Sequence, residues 1–269
     1  MDFLPKSCVL FLLSLLVSKP ARAQTPTPED ADSVKETTIS NIDLSKPFAT
    51  REAWRFIATQ GPRISGNDTA SGGEEPGRIQ LCLRAAPSPP CDPQLQNALH
   101  DEPHYLETVE IVYPRGSTGR PLLLVRTGGV HGTNGSQSET TQMLAYENAQ
   151  NHFVLIYQEE GGRRNNNEEV RYISSGRLMG DIISVDPTEN APYAYWVTVN
   201  VLTPEYTYKT VLRYRSATHY GDSNPLAVID SEMPNIEQRL GYWKPGMALP
   251  LPPGGCPIPR LIRMELWCN

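Results

Sequence analysis

The chain of 269 residues carries 24 Lys and Arg against 30 Asp and Glu, a formal charge of −6, and 39% of its residues are hydrophobic. That length is ample for one large domain or two small ones with a real core. The acidic balance and the lack of any basic run exclude a face that displaces counterions from nucleic acid or an anionic membrane, and twelve Tyr against five Phe favour half-exposed sheets over a helical core.

Residues 1–23 read as an export signal. Lys6 gives the positive start, a run dominated by Leu and Val extends from Cys8 to Val17, and Ala21-Arg22-Ala23 is a small-x-small cleavage pattern of bacterial type. An apolar run of about ten residues is too short to cross roughly 30 Å of hydrocarbon, so the expected mature protein starts at Gln24 with no membrane span and no anchor. Loss of Asp2, Lys6, Lys19 and Arg22 takes the formal charge to −8. Residues 24–46, polar and rich in Pro, Thr and Asp, are expected to be a disordered leader.

An antiparallel β domain is expected over 47–243. Its start is ambiguous: Trp54, Phe56 and Ala58 alternate too weakly to separate a strand from a helical turn. Arg78 to Leu83 alternates as a strand, and the Pro-rich stretch from Ala85 to Pro93 turns it. With Cys8 removed, Cys82, Cys91, Cys256 and Cys268 remain. Two close-spaced pairs in an oxidising compartment predict Cys82–Cys91 and Cys256–Cys268 disulfides, each closing a loop of roughly ten residues and worth about 2.5–3 kcal/mol on the chain-entropy model. A zinc site built from these thiolates lacks the usual ligand spacing.

From Tyr105 onward, short runs rich in Val, Ile, Tyr and Thr recur at 107–113, 121–127, 140–147, 152–158, 168–173, 178–185, 193–202, 206–216 and 226–230, mostly separated by turn residues. Such spacing predicts an all-β antiparallel meander, as a sandwich, barrel or propeller-like fold, with little helix. In the hairpin from Tyr193 to Tyr214, Tyr195, Val197 and Val199 share a face with Tyr206, Tyr208, Thr210, Leu212 and Tyr214, and the opposite face is expected to be largely wet. Residues 244–269 form a Pro-rich, disulfide-pinned C-terminal strap, with Leu261, Ile262, Met264, Leu266 and Trp267 docking it.

Several segments carry candidate chemistry. The stretch from Leu122 to Gly135, an apolar strand delivering Gly-Gly-Val-His-Gly, resembles the approach to the zinc site of metallocarboxypeptidases and related deacylases. That resemblance implies a metal ligand at His131, with His219 as a further ligand and Glu232 as general base. It covers about a dozen residues, puts Asn134 where the family has a Glu ligand, and leaves Glu139 out of register. The sequence His100-Asp101-Glu102-Pro103-His104 imitates a zincin motif, but Pro103 would break the helix that motif needs. The polar loop 161–169, with Arg163, Asn165, Asn166 and Asn167, offers donors and acceptors for a sugar, a peptide or calcium. Asp222 and Asn224 add oxygen ligands without the EF-hand order. There is no G-x-S-x-G elbow, phosphate loop or dinucleotide fingerprint.

The expected function is therefore that of an exported, non-catalytic binding or interaction protein of the bacterial envelope or extracellular space, periplasmic or secreted. It takes a protein, glycan or small-molecule ligand, with no nucleic acid and no cofactor. Its ligand-binding residues are drawn from His131, Asn134, Arg163, Asn165, Asn166, Asn167, Asp222 and Asn224. The alternatives are a metal-dependent hydrolase centred on His131, and an envelope structural or assembly factor whose edge strands pair with a partner.

Overall fold

The short apolar run Leu122-Leu123-Leu124-Val125 explains the architecture, because all four side chains are 5% exposed or less. Consecutive strand residues point to opposite faces, so a strand buried at every position must belong to a sheet covered on both sides. A computed structural model shows this arrangement and describes residues 36–65, 74–86, 90–92, 94–99, 102–114, 119–131, 136–163, 169–190, 193–219 and 223–268.

The first sheet is antiparallel, in the order β1 (Thr37–Asp43), β2 (Ala53–Gln60), β5 (Ile79–Ala86). A single helical turn, α1 (Ser45–Phe48), joins β1 to β2, and a small β3 (Ile64–Ser65) and β4 (Glu74–Glu75) ladder follows β2. A second turn, α2 (Gln94–Asn97), leads to the central sheet. This sheet contains β6 (Tyr105–Val112), β7 (Leu122–His131), β8 (Ser136–Glu147) and β9 (His152–Arg163), each antiparallel to the next. The third sheet repeats the meander with β10 (Glu169–Tyr172), β11 (Ile182–Pro187), β12 (Ala194–Leu202) and β13 (Tyr208–His219). Helix α3 (Val228–Arg239) follows, and a ribbon of β14 (Pro259–Ile262) and β15 (Glu265–Cys268) ends the described chain.

Three cores lie between these layers. Leu123, Val125 and Leu144 of the central sheet pack with Trp54, Phe56 and Leu83 of the first sheet, around Phe153. On its other face, Leu122, Leu124 and Met143 pack with Val170, Ile182 and Leu202 of the third sheet. The far face of the third sheet buries Ile183, Val185, Val197 and Val199 against Val228, Ile229 and Ile236 of α3. The molecule is thus an all-β stack of three antiparallel sheets with one helix as its outermost layer.

Both expected disulfides are present, Cys82–Cys91 with Cα atoms 4.9 Å apart and Cys256–Cys268 at 5.3 Å. Among the described residues no helix is long and apolar enough to cross a membrane. The signal segment lies outside the described residues, as does the leader up to residue 35.

Four expectations are corrected. Residues 37–43, read as leader, form β1, because β2 supplies the hydrogen bonds that their polar side chains gave no reason to expect. The run at 226–230 begins a helix instead of a strand. Asn224 Oδ1 accepts the Leu226 N–H at its start, and Ile229, Met233, Ile236 and Leu240 recur at helical spacing. The second arm of the Tyr193–Tyr214 hairpin does not keep its tyrosines on one face, although Trp196, Lys209, Val211, Arg213 and Arg215 are exposed, as expected of its wet side. Val199 faces Leu212 while Asn200 faces Thr210, so a bulge at Val211 resets the alternation. Tyr208 therefore turns toward the central sheet with Leu202, while Tyr214 turns toward α3. Lastly, Leu266 is fully buried in the tail, but Leu261 and Ile262 are exposed and do not dock it.

Phe153 sits in edge or tilted contact with Phe48, Trp54 and Tyr146 at centroid distances of 4.9, 5.4 and 5.3 Å. Phe153→Ala should lower stability by about 3–5 kcal/mol, read as a shift in urea midpoint with unchanged slope. A loss below about 1 kcal/mol would mean that the first and central sheets do not share a core.

Candidate functional site

Strand β10 is a short edge strand of the third sheet, and its pairing with β11 sets Arg171 opposite Ile183. The Arg171 guanidinium reaches the Asp230 carboxylate through two nitrogens, Nη1 to Oδ1 at 2.6 Å and Nη2 to Oδ2 at 3.3 Å. Asp230 lies in the first turn of α3, where the helix dipole favours a negative charge. This planar fork ties the sheet edge to the helix.

After α3 the chain reverses at Gly241, whose φ of +77° suits glycine, and the Tyr242 N–H returns to the Glu237 carbonyl. Trp243 is then almost fully buried, with its indole N–H donating to the Ala248 carbonyl at 2.9 Å. This anchor sends the Pro-rich strap back across the gap between α3 and the 173–178 loop. A cavity of about 320 Å³ results, walled by Tyr172, Leu178, Met233, Trp243 and Pro250, with Arg171 and Asp230 on its rim. A second hollow of about 440 Å³ lies beside Pro225 and Gly254 and shares Arg171, Asp230, Pro252 and Pro253 with the first. The strap thus bridges the ion pair, with open space on either side.

A broader hollow of about 830 Å³ covers the outer face of the first sheet, lined by Asn41, Thr59, Gln80, Arg84 and Gln96 among others. It has no aromatic wall. The cavity beneath the strap combines apolar walls with a few converging charges, the composition typical of ligand sites, so it is the better candidate.

Burial shapes the electrostatics around this cavity. It pushes the Glu237 carboxyl upward, opposed by the positive charge of Arg177 at the same cavity. Tyr172 is raised to about 12, by burial and then by the nearby Asp181 charge. Asp181 itself rises to about 6 because burial disfavours its charged form, partly offset by a backbone hydrogen bond at Leu202.

The sequence-derived candidates fall in different places. His131 ends β7 and Arg163 ends β9, and the register sets His131 opposite Ser136 and Arg163 opposite Gln137. Their backbones therefore reach the same end of the central sheet; their side chains lie outside the described structure. Asn134, Asn165, Asn166, Asn167 and Asp222 also lie outside the described residues. Asn224 has a structural task, donating to Ser231 Oγ at 2.8 Å and to the Leu266 carbonyl at 3.0 Å.

Glu232, the general base that the metallocarboxypeptidase resemblance implies, is fully buried and heavily engaged. Its Oε2 accepts from Tyr214 Oη at 2.8 Å and Asn235 Nδ2 at 2.9 Å. Its Oε1 accepts from Thr218 Oγ1 at 2.8 Å and from the Ala217 and Thr218 N–H groups, both at 3.2 Å. A carboxylate so occupied fastens α3 to β13 and is poorly placed to take a proton from water. Sequence reasoning missed Arg171, Asp230, Glu237 and Trp243. The one available signal was Trp243 followed by Pro245, an aromatic opening a Pro-rich segment.

Glu232→Ala should cost about 3–5 kcal/mol, because it strands several buried donors; calorimetry at neutral pH checks this. A change below about 1 kcal/mol would remove the fastening role. Asp181 gives a pH test. Its folded carboxyl holds a proton to about 6 while the unfolded one ionises near 3.8. The folded state binds more protons between those values, so stability falls as pH rises through that window and stays lower above it. Asp181→Asn should be nearly neutral at pH 3 and stabilising by about 2 kcal/mol at pH 7, read from urea midpoints. Equal effects at both pH values would contradict the assignment.

Comparison with protein-family models, curated proteins and solved structures finds no match to this chain.

Proposed function

We propose that this chain is an exported, non-catalytic β-rich binding protein of the bacterial envelope or extracellular space, with its ligand site beneath the Pro-rich strap. The observation that carries this reading is the cavity of about 320 Å³ between α3, β10 and the strap, where Tyr172, Met233 and Trp243 meet the forked Arg171–Asp230 pair. The volume suits a small amphipathic molecule or a short peptide segment. Apolar walls provide affinity through desolvation, while the charged rim fixes orientation. Export is supported by the signal pattern at 1–23 and by two disulfides, which persist in an oxidising compartment. The engagement of Glu232 by five protein donors weighs against the hydrolase alternative, which needs that carboxylate free to act as a base.

A library of amphipathic small molecules and short peptides, screened by nuclear magnetic resonance, tests the reading. The expected result is saturable binding that shifts the Trp243 indole N–H resonance. Ser175→Trp, which places a large ring at the cavity's exposed wall, should weaken such binding at least tenfold, about 1.4 kcal/mol, without altering the fold. Shifts confined to the outer face of the first sheet would move the site there. Turnover of peptide, ester, glycan or phosphate substrates that disappears in a His131→Ala variant would replace the binding reading with the hydrolase.

A further inference from the structure

We propose that the strap is a lid over this cavity, hinged at Gly246 and Gly255 and held shut by the Cys256–Cys268 disulfide, so that a dithiol reductant opens the site. The inference rests on the cavity being the ligand site and adds how access to it is regulated.

The segment has stiff middle residues and two free joints. Gly246 and Gly255 have φ of +97° and +79°, and a Cβ built at either would meet nothing within 4 Å. Between them, Pro250, Pro252 and Pro253 lock their own backbone torsions. A rigid piece between two unconstrained glycines moves as a unit when one end is released.

No residue of this piece is fully buried: Leu249, Pro250 and Pro252 are half-buried and the others are exposed. Met247 is 41% exposed and Leu251 46%, so neither is deeply seated. Two of its hydrogen bonds, Met247 N to the Lys244 carbonyl and Gly255 N to the Pro252 carbonyl, are local turns. Its tie to the body is the bond from the Trp243 indole to the Ala248 carbonyl, which lies beyond the first hinge and breaks when the lid swings open.

At the second hinge the chain enters the β14–β15 ribbon, and the two strands differ sharply. Strand β15 is fixed: Leu266 is fully buried, and its carbonyl accepts from Asn224. Strand β14 is exposed at every position and starts with Pro259, which has no N–H to donate. The turn joining them places Arg263 and Met264 at φ of +53° and +74°, a conformation suited to Asn or Gly. A two-stranded ribbon is marginal even with a favourable turn. The covalent bond from Cys256 to Cys268 is therefore what keeps the free end of the strap against its fixed neighbour.

The chemistry is a thiol–disulfide exchange. One thiolate of the incoming dithiol attacks a sulfur of the pair, the Cys256–Cys268 bond breaks, and the departing cysteine takes up a proton. The second thiol of the reagent then attacks the mixed disulfide, freeing the other cysteine and leaving the reagent oxidised. Two electrons and two protons pass from the dithiol to the protein.

Hydrogen–deuterium exchange read by mass spectrometry tests this without any ligand. Three samples are compared: the oxidised protein, the same protein after native reduction with dithiothreitol, and the Cys256→Ser/Cys268→Ser variant. The lid requires exchange to rise at least tenfold in the strap amides of 246–255 and in the cavity wall at 173–178, in both the reduced protein and the variant. Amides of β11 and β12 should stay protected. Unchanged exchange in the strap would overturn the proposal, and so would an equal rise throughout the third sheet, which would make the disulfide a global staple. Because no ligand is involved, a lid that opens in a protein binding nothing from the library would leave this inference standing while removing the proposed function.

Discussion

A sheet with no wet face governs this molecule. The central sheet can hide Leu122, Leu123, Leu124 and Val125 together only if partners cover it on both sides, which obliges the chain to build one sheet before it and another after it. The third sheet meets the same requirement on its far side and satisfies it with α3. Each added layer buries one more apolar surface, and the stack ends where an amphipathic helix can turn a polar side to water. The candidate site lies at that last boundary, where the sheet edge, the helix and the strap meet.

Elements written in local patterns are legible in the amino-acid order itself. The meander, the Tyr193–Tyr214 hairpin and both cysteine pairings follow from alternation, turn residues and close spacing. What escapes such reading depends on partners distant in sequence. Strand β1 is polar and nearly all exposed, so only its pairing with β2 makes it a strand. Helix α3 hides its period because Ser231, Glu232 and Asn235 are polar yet buried, their hydrogen bonds supplied by residues such as Tyr214 and Thr218. The bulge at Val211 is silent in a sequence whose alternation looks regular on either side of it.

The same logic applies to the site. Arg171 and Asp230 are 59 positions apart, and nothing near either one names the other. A partly buried pair of this kind adds little net stability once desolvation is counted, whereas its bidentate geometry fixes how two elements meet. Its place here fits that role, since it joins the edge of β10 to the first turn of α3 beside the strap. His131 and Arg163 stand out in the sequence because glycines and asparagines surround them. Composition of that kind marks the ends of strands whether or not a ligand is present.

The Asn224 side chain joins the start of α3 to the Leu266 carbonyl, 42 positions later. Synthesis from the amino end therefore delivers the helix well before the strand that completes its packing. During that interval the inner surface of α3 lacks one of its neighbours, and Cys256 waits for Cys268. The outermost layer and its covalent fastening therefore cannot be completed before β15 has emerged.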